Sequence, residues 1–228
     1  MKARLGRYVV AALVAMLVLT MSLPSAAQEH AEGAPHEFHD AQYWAKIFES
    51  PDRAKWQKPD EVVGTLALKP GETVVDIGAG TGYFTRRFAK AVGPSGEAIG
   101  LDLEPGMIDY MKADAKKLGL KNYEARVVKP DDPGLAPHSA DVVFFCDVLH
   151  HVDDRAAYLK KIAPALRPGG RVAVVDFKKT APFGPPASMR IAPGQMIDEF
   201  KRAGYRMSRE HNFLPYQYFL EFEPASSN

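Results

Sequence analysis

Two hydrophobic periods alternate along this chain, and the switches between them mark its elements. From residue 60 onward, short apolar runs are separated by amphipathic stretches at helical spacing. Thr73–Ile77 reads as a buried strand, and Ala98–Asp102, Tyr123–Val128, Asp141–Cys146 and Arg171–Phe177 as further strands. Between them Asp60–Leu68, Tyr83–Val92, Pro105–Leu118, His150–Leu166 and Gly194–Ala203 read as helices, with Pro70-Gly71, Gly93-Pro94 and Gly119 as stop signals. Arg167-Pro168-Gly169-Gly170 reads as a turn, and Tyr205–Asn212 with Tyr216–Glu223 as a hairpin-like pair. Such alternation predicts an α/β fold with a doubly wound, mostly parallel sheet. Upstream, Tyr43, Trp44, Ile47, Phe48 and Trp56 recur at helical spacing, so residues 41–56 are expected to form an amphipathic helix.

The first residues follow a different pattern. Lys2, Arg4 and Arg7 precede an apolar run from Tyr8 to Leu19, and Ser25-Ala26-Ala27 offers small residues for cleavage before Gln28. Residues 1–27 therefore read as a secretory signal peptide, which predicts an exported, periplasmic protein. The alternative is an uncleaved inner-membrane anchor over residues 8–23. The remaining chain divides into a leader and capping helix over 28–58 and one domain over 59–228, a length that supports a sizeable core.

Composition changes this picture little. The 228 residues are 46% hydrophobic and 25% charged, with a net charge of +1. Without residues 1–27, Lys+Arg falls to 26 against 28 Asp+Glu, which leaves no basic field for nucleic acid. The single cysteine, Cys146, excludes an intramolecular disulfide. His30, His36 and His39 with Asp40 could ligate a metal, but a solvated tail is the expectation there, and no metal is expected elsewhere.

The candidate chemistry is concentrated after the first strand. Asp76-Ile77-Gly78-Ala79-Gly80-Thr81-Gly82 joins an acid to a turn with three glycines, which lets a ligand lie against backbone N–H groups. A dinucleotide loop would need glycine at Tyr83, and Asp76 would repel a pyrophosphate. The phosphate loop of nucleotide hydrolases needs Gly-Lys-Ser/Thr, which is absent. Other strand ends also carry acids. Asp102, followed by Leu103, closes strand two, and a carboxylate there can accept both hydroxyls of a ribose. Asp131 and Asp132 follow strand three, and Asp147, His150 and His151 follow strand four. A neutral histidine near pH 7 suits proton removal from an oxygen or nitrogen, which makes His151 and His150 the candidate bases, with loop packing as the alternative.

The Asp-x-Gly-x-Gly-x-Gly loop, Asp102 and the Leu-Arg-Pro-Gly-Gly-Arg turn together resemble class I S-adenosylmethionine-dependent methyltransferases, and the type 11 small-molecule group in particular. A signal-bearing subset is similar also in its Trp-x₁₁-Trp-x₂-Pro stretch, here Trp44, Trp56 and Pro59. The resemblance implies a seven-stranded, Rossmann-like methyltransferase sheet with an antiparallel last strand, and S-adenosyl-L-methionine as cofactor. It implies that Asp76, Ile77, Gly78, Ala79, Gly80, Gly82, Asp102, Leu103 and Asp147 line the cofactor site. It also implies an adenine contact from Asp131 or Asp132, and methyl transfer to a small-molecule O, N or C acceptor.

Arsenite methyltransferases share the fold but need several cysteines. Catechol-type enzymes need a metal, for which Asp147 and Asp176 lack an evident third ligand. If residues 8–23 stay in the membrane, a lipid or quinone acceptor becomes the alternative, lined by Phe183, Phe213, Tyr216, Tyr218 and Phe219, for all of which core packing is an equal reading. Arg190 is a candidate contact for an anionic acceptor, against a solvated loop arginine. The remaining rival is an exported S-adenosylmethionine-binding protein without transferase activity, motivated by a cofactor made in the cytoplasm.

Overall fold

The computed structural model describes residues 40–225. Residues 1–27, expected to be a signal peptide, residues 28–39 with their three histidines, and residues 226–228 lie outside the described residues. Three short helices come first: α1 (Ala41–Phe48), α2 (Pro51–Gln57) and α3 (Pro59–Thr65). The core then runs β1 (Thr73–Ile77), α4 (Thr85–Val92), β2 (Glu97–Asp102), α5 (Pro105–Leu118), β3 (Tyr123–Val127) and β4 (Ala140–Cys146). It ends with α6 (Arg155–Ile162), β5 (Leu166–Phe177), α7 (Pro193–Arg202), β6 (Tyr205–His211) and β7 (Gln217–Pro224).

The strands form one seven-stranded sheet in the order β3-β2-β1-β4-β5-β7-β6. β1 through β5 pair in parallel, and β7 runs antiparallel to both β5 and β6. This is the expected Rossmann-like α/β architecture. All five residues of β1 are buried, as a strand flanked by β2 and β4 and covered on both faces must be. On one face Val75, Val143, Val174 and Leu220 pack with Leu159 of α6 and Phe200 of α7. On the other, Val74, Phe144 and Phe219 pack with Val62 of α3, Phe88 of α4 and Met111 of α5. The chain builds outward from β1 to β3, then returns to β4 on the other side of β1. That reversal opens a crevice at the carboxyl ends of β1 and β4, where ligands bind in open α/β sheets.

Three elements differ from their sequence expectation. The single helix over 41–56 is two, because Ser50 ends α1 and caps α2 by accepting from Arg53 N at 3.2 Å, with Pro51 at the first helical position. The helix expected over His150–Leu166 is shorter. A 3₁₀ turn holds Leu149–His151, Asp154 caps α6 through Ala157 N, and a second 3₁₀ turn follows at Ala163–Ala165. The Arg167–Gly170 turn survives as a bulge inside β5, where Leu166 pairs with Ala140 and Arg171 with Val142.

Candidate active site

β1 ends in the glycine turn, whose backbone needs glycine for two reasons. Gly78 and Gly82 have φ of +69° and +75°, in the left-handed region. A Cβ on Gly78 would stand 2.4 Å from Val148 Cγ2, and one on Gly82 would stand 1.7 Å from Tyr123 Oη. The turn is tied to β2: Gly78 N and Ala79 N donate to Leu101 O at 2.8 and 3.0 Å. Gly80 N donates to Asp102 Oδ2 at 2.8 Å, and Glu104 N to Asp102 Oδ1 at 3.1 Å. Burial pushes the Asp102 carboxyl up, against these backbone donors. Leu103, beside it, is 48% exposed and leaves an apolar side chain open at the end of β2. Ile77 and Ala79 are buried against the core. Asp76 is also buried and accepts from Thr85 Oγ1 at 2.6 Å. Burial raises its pKa to about 7, with the Thr85 bond opposing and the Asp102 charge adding.

Across the crevice, the chain leaves β4 through Asp147, whose φ is +59°. Asp147 N donates to Val175 O at 2.9 Å, which fixes the turn against β5. Its carboxylate is surrounded by amides: Oδ1 accepts from Gln217 Nε2 at 2.7 Å and Oδ2 from Gln57 Nε2 at 3.3 Å. Arg53 Nη2 lies 4.0 Å away. Burial and the Asp176 charge raise Asp147 to about 6, while Arg53 and His150 hold it down. Gln57, fully buried at the end of α2, also donates towards Cys146 Sγ at 2.9 Å. Burial, with the Asp147 charge, pushes the Cys146 thiol well up, so it is a poor nucleophile and metal ligand.

α1 and α2 form the near wall. The Phe48 ring sits 3.5 Å from where a Gly80 Cβ would be. The Arg53 guanidinium donates to Phe48 O at 2.9 Å and to Gln57 Oε1, and lies 4.6 Å from the centre of the Tyr83 ring. Tyr83 Oη is buried without a hydrogen-bond partner.

The two histidines part company. His150 is buried, with Nδ1 at 3.1 and 3.2 Å from the two oxygens of Asp176, which is itself fully buried at the end of β5. Burial opposes charge on this ring, but the Asp176 bond and the charges of Asp176 and Asp147 outweigh it and raise its pKa. His151 is exposed, its ring 4.2 Å from that of His150. Tyr218 stands opposite Asp176 in the β5–β7 register, and its buried hydroxyl has no partner.

The remaining expected residues lie after β3 and in the segment after β5. Asp131 and Asp132 form an exposed turn after β3, where Lys161 Nζ donates to Asp131 O at 2.6 Å and Asp132 Oδ1 accepts from Gly134 N at 2.9 Å. Arg190 is neither solvated nor open to a ligand. It is buried, and its guanidinium donates to the carbonyls of Ala181, Phe183 and Pro185 at 2.6, 3.1 and 2.7 Å. Arg53, Gln57 and Gln217 were not singled out from sequence. Asp147 and Gln217 lie 70 residues apart, and no local pattern announces such a contact.

Residues 68–207 match the model of a family described as a methyltransferase domain. The chain belongs to this methyltransferase family. Among curated relatives, an arsenite methyltransferase of Halobacterium salinarum is 36% identical over 57% of this chain and 33% of its own length. The aklanonic acid methyltransferase DauC of a Streptomyces species is 33% identical over 56% of this chain and 60% of its own. A demethylmenaquinone methyltransferase of Bacillus cytotoxicus is 31% identical over 57% and 54%. The methyltransferase thus spans between a third and three fifths of the length of these relatives. A solved S-adenosylmethionine-dependent methyltransferase from Aquifex aeolicus is 26% identical, with a TM-score of 0.75 over 80% of this chain and 97% of that one. Its family and fold are those of class I S-adenosylmethionine-dependent methyltransferases. The site suits that cofactor: a glycine turn at the carboxyl end of β1, the buried Asp76 and largely buried Asp147 carboxyls for a cationic end, and a Tyr83 hydroxyl without a partner among the described residues.

Proposed function

We propose that S-adenosyl-L-methionine lies along the β1–β4 crevice and that the methyltransferase passes its methyl group to a small-molecule O, N or C acceptor beyond the end of β4. The observation that carries this reading is the meeting of the glycine turn, Asp102 and Asp147 across the point where the strand order reverses. When bound, the cofactor supplies an electrophilic methyl on a sulfonium. Asp102 receives the ribose hydroxyls, and Leu103 packs on the adenine. Asp132 is the better candidate for the adenine amino group, because Lys161 already engages Asp131. Asp76 and Asp147 hold the ammonium end, and Arg53 faces the carboxylate. These groups position the partners and exclude water, which is most of what direct displacement requires.

His150 is the preferred base over His151. With Nδ1 held by Asp176, its Nε2 is left to take the acceptor's proton. The names of the relatives support a small-molecule acceptor. Arsenite fits poorly, since the chain has one cysteine, partly buried, whose thiol is pushed well up by burial and the Asp147 charge. We also propose that residues 1–27 direct export of the chain.

Calorimetric titration with S-adenosylhomocysteine tests the site. The wild type is expected to bind, and Asp102→Ala to bind at least about tenfold more weakly, a loss of about 1.4 kcal/mol or more. A folded wild type that takes up no S-adenosylhomocysteine would overturn the reading.

A further inference from the structure

We propose that the methyl acceptor is a neutral, planar aromatic molecule, held against a wall of Trp56, Phe177, Phe183 and Tyr216. The proposal rests on the methyl-transfer reading above and adds the acceptor's chemical class. Its first support is position. Trp56 precedes Gln57, Phe177 follows Asp176, and Tyr216 precedes Gln217. Gln57 and Gln217 hold the Asp147 carboxylate, and Asp176 holds His150. Phe177 also stands opposite Gln217 in the β5–β7 register, so the ring layer borders the two glutamines that hold Asp147.

The second support is the packing of the rings. The Trp56 and Phe183 centroids are 5.1 Å apart, Trp56 and Phe177 5.5 Å, and Phe183 and Tyr216 4.9 Å. The Phe183–Tyr216 pair is edge-to-face, and Phe177–Phe183 likewise at 80°. Rings in mutual contact make a continuous layer, with no gap between them for the ammonium group that an aromatic cage would take. Phe177 is buried, whereas Trp56, Phe183 and Tyr216 keep part of their surface open.

The third support is where the nearby cations are spent. Arg190 is committed to carbonyls of its own segment. Lys178 Nζ donates to Leu214 O at 2.8 Å, and Lys179 Nζ to Ala187 O at 3.2 Å. An acceptor carboxylate or phosphate would have to be desolvated against this apolar wall, with the buried Arg190 guanidinium already spent on carbonyls and only the spare donors of Lys178 and Lys179 to meet it. A neutral ring system meets no such cost and gains ring-on-ring contact.

The test uses the full chain saturated with S-adenosylhomocysteine and titrates three probes by calorimetry: 2-naphthol, its saturated analogue decahydro-2-naphthol, and 2-naphthoate. Wild type is expected to bind 2-naphthol about tenfold more tightly than either other probe, in line with the worth of one or two aromatic contacts. Phe183→Leu and Tyr216→Leu, which keep apolar bulk without the ring, should each weaken 2-naphthol severalfold and leave S-adenosylhomocysteine affinity unchanged. Equal binding of the saturated probe, tighter binding of the carboxylate, or no effect of either variant overturns the proposal. So does absence of naphthol binding while S-adenosylhomocysteine binds. Failure to bind S-adenosylhomocysteine strikes the cofactor site instead.

Discussion

A carboxyl group sealed against Thr85 is costly to ionise, and Asp76 carries that cost into the pH dependence of stability. Its folded pKa of about 7 lies above the ordinary carboxyl value of 3.8. Between those two values the folded chain keeps a proton that the unfolded chain has released. The contribution is therefore complete below about pH 4 and is lost as pH rises to about 7. Asp76→Asn removes the titration while keeping an acceptor for Thr85. Compared at each pH, the variant should gain on the wild type by on the order of 2–4 kcal/mol between pH 4 and pH 8. Denaturant unfolding at the two pH values measures this, and a difference that does not change with pH would show that Asp76 is not the titrating group. The charge that costs stability is the one expected to meet the cofactor's ammonium, so the site holds an unfavourable group in readiness for its ligand.

At the level of elements, the segment between β5 and α7 has little hydrogen bonding of its own and depends on Arg190. That guanidinium collects carbonyls from Lys179, Ala181, Phe183 and Pro185. Arg190→Met keeps the aliphatic stem and leaves those carbonyls without their donor. Hydrogen bonds to charged groups are each worth about 1.5–3 kcal/mol, and one kcal/mol moves the melting temperature of a chain this size by about 2–4 °C. Freed carbonyls in this surface segment can turn to water, so the net loss is about that of one such bond, and the expected drop is about 5–10 °C by scanning calorimetry, with S-adenosylhomocysteine still bound. An unchanged melting temperature would mean that the segment is held by its aromatic packing alone. The same residue marks what local reading could reach. Strands β1, β2, β4 and β5 were legible as apolar runs and β3 as an alternating one, each between turn signals, and the position of Asp76, Asp102 and Asp147 at strand ends followed from them. The break at Ser50-Pro51 was written in the chain, but the even spacing of aromatic residues across it masked the cap. Arg190, Arg53, Gln57 and Gln217 take their meaning from partners distant in sequence or from a loop's tertiary path, which hydrophobic periodicity does not encode.

For the whole molecule, the proposed export can be read at the N-terminus of the mature protein. Fractionation of a Gram-negative host with N-terminal sequencing should give a periplasmic chain starting at Gln28. A cytosolic chain that retains Met1 would remove the export proposal and leave the site untouched. The described core holds a single thiol, Cys146, partly buried beside Gln57, so no disulfide can form within it.

The strand order has one further consequence, at the two borders of the sheet. β3 and β6 each have one side without a strand partner among the described residues. Such a border can template the addition of a strand from another molecule. Here both carry charge. β3 exposes Glu124 and Arg126, paired at 2.7 Å, and β6 exposes Arg206, Arg209 and Glu210, with its register broken between Met207 and Arg209. An incoming strand would have to lie along these ionic side chains, and on β6 follow an irregular backbone. The sheet that places the methyltransferase site at its centre thus discourages its own growth at either margin, and concentrated solutions should remain free of β-sheet association.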